Sequence, residues 1–185
     1  QLAVPKIRST ALFNGDRRHI GLCSSPAVEG DRIYVVTNRA EVLCLDADGL
    51  RDGNDGPFRA EAEYYAQPLC HEVAYGAEGP RVSFVPGQPG SLRPTDADII
   101  WRFDMISGVH SWPQDAANGS PLIHGDLVYV TTSNAICDYR KKRTALYPDA
   151  PSLIALDKRT GRLVAADRER IAGRSWHGQW SSPSL

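Results

Sequence analysis

The chain has 185 residues, 42% apolar and 23% charged, which fits an ordinary folded domain and excludes a disordered one. Its 21 Lys and Arg offset 22 Asp and Glu, so it lacks the basic footprint of a general phosphate binder and no nucleic-acid partner is expected. No apolar run approaches the roughly 20 residues that cross a bilayer as a helix, and no membrane span is expected.

The near-zero balance hides an asymmetry. Asp46 to Asp98 holds ten acidic and four basic residues, whereas Tyr139 to the end holds ten basic and four acidic. The chain opens at Gln1, without a basic-then-apolar signal segment, as a processed form or a piece of something longer would. Cys23, Cys44, Cys70 and Cys137 lack the CxxC spacing of a zinc site. In an oxidising compartment their even number permits three full pairings, and Cys44, inside an apolar run, also reads as a small buried thiol.

Residues 1–21 read as a lead-in, and a repeat begins after them. Cys23-Ser-Ser-Pro-Ala-Val-Glu-Gly-Asp-Arg-Ile-Tyr-Val-Val-Thr37 is matched by Asn118-Gly-Ser-Pro-Leu-Ile-His-Gly-Asp-Leu-Val-Tyr-Val-Thr-Thr132, and Trp180-Ser-Ser-Pro-Ser-Leu185 starts the sentence again. In each copy Ser-Pro leads into a short apolar strand. Gly30-Asp31 or Gly125-Asp126 then supplies a tight hairpin turn.

Valine, tyrosine and threonine predict the next strands at 32–37 and 127–132, followed by strands at 41–46 and 152–157 and then at 99–103 and 162–166. Four antiparallel strands per unit is a propeller blade, and a β-sandwich is the competing all-β reading. The fold expected is therefore all-β: two four-stranded blades at 22–112 and 113–179, plus the start of a third at 180–185, within a larger β-propeller. Long insertions interrupt the blades at about 47–98 and 138–151 and are expected to project from their edges. Ala60 to Tyr65 is the one stretch read as a helical turn or two. A two-blade wedge is expected to leave both outer faces open to further blades, from the same precursor or from other subunits.

Ile154-Ala-Leu-Asp-Lys-Arg-Thr-Gly-Arg-Leu-Val-Ala165 resembles the docking motif of the PQQ-like (quinoprotein-type) β-propeller family. In that family an Ala-x-Asp-x-x-Thr-Gly corner binds backbone, and a following tryptophan packs between blades. The resemblance gives these roles to Asp157, Thr160 and Gly161, with Ala165 in the tryptophan's place. In the first copy Asp46 opens the corner and Trp101, beyond the insertion, supplies the indole.

The same resemblance implies two functions. The leading one is a non-catalytic scaffold or binding surface in a periplasmic or extracellular assembly. The alternative is a segment of a quinone (PQQ)-dependent oxidoreductase, whose enzymes use a carboxylate base, calcium or a related cation, aromatic stacking and often adjacent cysteines. Adjacent cysteines are absent here, and no catalytic or quinone-binding residue carries over.

Calcium is the cofactor the residues themselves suggest. Asp46, Asp48, Asp52, Asn54 and Asp55 place oxygen donors along a glycine-rich loop. Leu50 breaks the spacing of an EF-hand, and a run of Asp-Gly turns is the competing reading. Trp176, His177 and Trp180 fit either ligand stacking in a central funnel or packing between blades.

Overall fold

The computed structural model describes residues 2, 4, 22–66, 69–76, 79–85, 91–111, 119–134, 136–137, 144–145, 147–175 and 178–184. Two four-stranded antiparallel sheets form its body. Blade 1 comprises β1 (Ala27–Glu29), β2 (Arg32–Val36), β3 (Glu41–Asp46) and β6 (Ile99–Asp104), in that spatial order. Blade 2 comprises β7 (Leu122–His124), β8 (Leu127–Thr131), β11 (Leu153–Asp157) and β12 (Leu163–Ala166), also in sequence order across the sheet. Both are propeller-like blades, and among the described residues there is no third blade and no closed ring.

The repeat dictates this register. Gly30 and Gly125 close the first hairpins at φ of 58° and 57°, a conformation glycine adopts without a Cβ penalty. Tyr34 then faces Cys44 across β2 and β3, as Tyr129 faces Ala155 across β8 and β11. Trp101 pairs with Cys44 and Ala165 with Ala155, so Ala165 does occupy the position of the tryptophan.

Side chains alternate between two faces of each blade. The front face of blade 1, carrying Tyr34, Val36, Val42, Cys44 and Trp101, packs on Val128, Val130, Ile154 and Leu156 of blade 2. These four lie on the back face of blade 2. Their counterparts in blade 1 are Ile33, Val35, Leu43 and Leu45, and the structure corrects the expectation that this face is open. Phe58, Tyr65 and Tyr64 of α1 (Glu61–Tyr65) lie against it, with Leu43 and Ile99 fully buried beneath. Among the described residues the wedge therefore leaves one flank uncovered, because the first insertion folds back over the sheet as well as extending from its edge.

Buried polar bonds fasten this cover. The Tyr64 hydroxyl donates to Glu41 Oε2 at 2.9 Å, and the Tyr65 hydroxyl donates to the Ala97 carbonyl at 3.0 Å. Glu41 is buried with Arg102 at 2.9 Å and Arg39 at 3.3 Å, so two guanidinium groups compensate its charge.

The insertions also hold structure that the residue pattern did not announce. β4 (Leu69–Gly76) and β5 (Gly79–Val85) form a hairpin, and β9 (Ile136–Cys137) pairs with β10 (Thr144–Ala145). Pro80 disguises β5, but a two-stranded ribbon has free edges that tolerate proline. The short helix α2 (Met105–Val109) follows β6 directly, capped by Asp104, whose carboxylate accepts from the amides of Ile106 and Ser107. Cys44 is an unpaired thiol, so a full pairing of the four cysteines does not occur. No described helix is long and apolar enough to cross a membrane.

Candidate functional site

The corner after the third strand is built twice, and the two versions do different things. In blade 2, Asp157 Oδ1 accepts from the Arg159 amide at 3.0 Å and from the Thr160 amide and hydroxyl at 2.9 Å each. Bonds from Thr160 above all hold this carboxyl below the usual aspartate range. The turn ends at Gly161 with φ of 69°, where a Cβ would lie 2.5 Å from Trp101 Cε3. Glycine thus satisfies both the backbone angle and the close approach of the indole.

Trp101 arrives from blade 1. Its Nε1 donates to the Lys158 carbonyl at 3.0 Å, and the Tyr34 hydroxyl donates to the same oxygen at 3.2 Å. The two rings meet at 6.0 Å with a 46° tilt, while Lys158 Nζ pairs with Glu29 at 2.8 Å. The residues Asp157, Thr160, Gly161 and Trp101 therefore assemble into one interblade dock. Lys158, Tyr34 and Glu29 belong to it too. The repeat aligned Tyr34 with Tyr129 but held no sign that one member of the pair would face another blade.

In blade 1 the corresponding corner collects carboxylates. Ligand oxygens of Asp46, Asp48 and Asp52 lie within 4.8 Å of one another, Asp46 buried and the other two exposed. Such an all-oxygen cluster can coordinate a metal ion such as calcium, with backbone oxygens and water completing its shell. Asp46 would share its oxygens, since Oδ1 already accepts from the Asp48 amide at 2.8 Å and Oδ2 is bound by the Arg32 guanidinium. A cavity of about 340 Å³ opens beside the corner, lined in part by Asp46, Asp48, Ile33 and Ala97.

Asn54 and Asp55 lie outside this cluster and fasten the insertion. Asn54 Nδ2 donates to buried Glu61 at 2.8 Å, and the Asp55 amide donates to buried Asp98 at 2.8 Å. Burial pushes the Asp98 carboxyl up, and its other oxygen has no hydrogen-bond partner. No motif marked Asp98 or Glu61, because their role depends on contacts between residues 43 and 7 positions apart. Trp180 is 63% exposed, while Trp176 and His177 lie outside the described residues.

No family model matches the chain, and no curated protein matches it. Among solved structures it is similar to the quinohemoprotein alcohol dehydrogenase from Comamonas testosteroni, at 14% identity and a TM-score of 0.26. That likeness covers 77% of this chain and 20% of the enzyme's chain.

Proposed function

We propose that this chain works as a non-catalytic blade pair of a larger β-propeller, presenting a binding surface within a periplasmic or extracellular assembly. The observation that supports this is the Trp101 dock, which commits one face of blade 1 wholly to joining blades. The locale follows from the family resemblance of the Asp157–Gly161 corner. In this reading a divalent cation at Asp46, Asp48 and Asp52 stiffens the root of the insertion.

The carboxylate cluster also favours a second reading, a segment of a quinone-dependent oxidoreductase, since such enzymes use calcium or a related cation. The quinone would supply two-electron chemistry in the funnel of the completed ring. This chain would contribute blade packing and the cation corner.

Intact mass and absorption spectroscopy of the native particle separate the two. The scaffold reading expects further blades and no quinone band; a stoichiometric quinone band overturns it in favour of the oxidoreductase. Calcium added to dialysed protein should raise the unfolding temperature, by about 2.7 kcal/mol in stability at a hundredfold excess over Kd. Asp48→Asn with Asp52→Asn should abolish that shift, and an unchanged shift would remove the cation from this corner.

A further inference from the structure

The four back-face positions that receive blade 1 in blade 2 are Val128, Val130, Ile154 and Leu156. The equivalent positions of blade 1 are Ile33, Val35, Leu43 and Leu45, and there the insertion takes the place of a preceding blade. Phe58, Tyr64 and Tyr65 supply the apolar contact, while the bonds to Glu41 and Ala97 fix them in position. A blade docking here in the manner of blade 1 on blade 2 would have to displace this cover.

The opposite flank is built to continue. On the front face of blade 2, Leu127, Tyr129 and Thr131 are half-buried and Leu153 is 38% exposed, whereas Val128 and Val130 behind them are fully buried. Tyr129, Ala155 and Ala165 stand where blade 1 has Tyr34, Cys44 and Trp101, the residues that meet the next blade.

A hydrogen-bond relay runs in the same direction. The Ser25 amide donates to Ser120 Oγ and the Ser120 amide to Ser182 Oγ, each at 2.9 Å. The Ser133 hydroxyl donates to the Gln179 carbonyl at 3.2 Å, so the opening of the third repeat already lies along blade 2.

We propose that the chain accepts a neighbouring blade on one side only: a further Ser-Pro blade docks on the front face of blade 2, and the insertion is a cap that denies the back face of blade 1 to any blade. Buried Ala155 and exposed Ala165 stand where the first interface has Cys44 and the indole, so blade 2 brings no large ring of its own to this face. The incoming blade would then supply the bulky side chain at this interface, because a void the size of an indole costs about 3–5 kcal/mol in a packed interface. The inference rests on the propeller reading above and adds its polarity.

Photo-crosslinking in the native full-length particle tests both parts. A benzophenone side chain placed at Leu153 should yield a crosslinked peptide from another four-stranded Ser-Pro repeat. One placed at Ile33, on the rim of the capped face, should crosslink only within this chain, to the segments around Leu2, Arg51 or Thr95. Capture of an external repeat peptide from Ile33 overturns the cap while leaving the propeller intact. If neither position captures a repeat peptide, or Leu153 captures a second copy of this chain or a protein without the repeat, the docking proposal falls, and in the first case the propeller reading falls with it.

Discussion

Blades 1 and 2 share one strand grammar and differ in how deeply it is buried. β3 is buried along its whole length, while the equivalent strand β11 is exposed at Leu153 and half-buried at Asp157. β8 alternates strictly between buried and half-buried residues, whereas Tyr34, Val35 and Val36 of β2 are buried in succession. A blade's surface is thus set by what its connections bring over it. The 52 residues that separate β3 from β6 give blade 1 a second packed face, and the five that separate β11 from β12 are too few to do the same for blade 2.

The largest effect should come from separating the blades. Trp101→Ala removes the indole from Gly161 and the donor from the Lys158 carbonyl, and should cost about 3–5 kcal/mol in urea unfolding. Trp101→Phe keeps part of the ring packing and should recover a good share of that loss. An alanine variant as stable as the parent would mean that the two blades unfold independently of their dock.

Removing the cap comes next. Tyr64→Ala should cost about 3 kcal/mol, whereas Tyr64→Phe should cost about 1, since Glu41 keeps its two arginines. Hydrogen exchange should show the alanine variant opening first at β3, and faster exchange confined to β12 would argue against a cap.

A sharper comparison uses one equivalent pair. Val42 and Leu153 occupy the same repeat position, but Val42 is fully buried by blade 2 and Leu153 faces outward. Val42→Ala should lose about 2 kcal/mol at roughly 0.8 per methylene-sized group, and Leu153→Ala less than about 0.5 in the isolated chain. Equal losses would show that something already covers the front face of blade 2.

The contrast also marks how far the residues alone could be read. Strands at 41–46 and 99–103 appear within a residue of their observed ends because the hydrophobic period and Gly-Asp turns are local signals. The dock was legible in Asp157, Thr160, Gly161 and Trp101, whose corner is itself a local hydrogen-bonding unit. The cap was not legible. Tyr64 and Tyr65 announce only a short helix, and what they cover depends on a chain reversal that no period encodes. The carboxylate corner was half legible: Asp46, Asp48 and Asp52 converge, but the Asn54 side chain is bound to Glu61 and the Asp55 amide to Asp98.

The smallest effect expected is in pH dependence, where two aspartates pull in opposite directions. Asp157 has a folded pKa lowered by its bonds from Thr160, so its contribution to stability is present above the ordinary aspartate range and is lost as pH falls through the lowered value. Asp98 has a folded pKa raised by burial, so the folded state binds its proton more readily than the unfolded chain does. Its ionisation therefore destabilises the fold, and that penalty disappears as pH falls through the raised value. Asp157→Asn should flatten the acid limb of a stability profile, because the amide oxygen can accept but cannot titrate. Asp98→Asn should raise stability at neutral pH and leave a steeper acid loss, since the opposing group is gone while an oxygen remains for the Asp55 amide. If Asp98→Asn instead lowers stability at neutral pH, the Asp98 charge is compensated within the insertion, with the Arg59 guanidinium as the group on hand to do it.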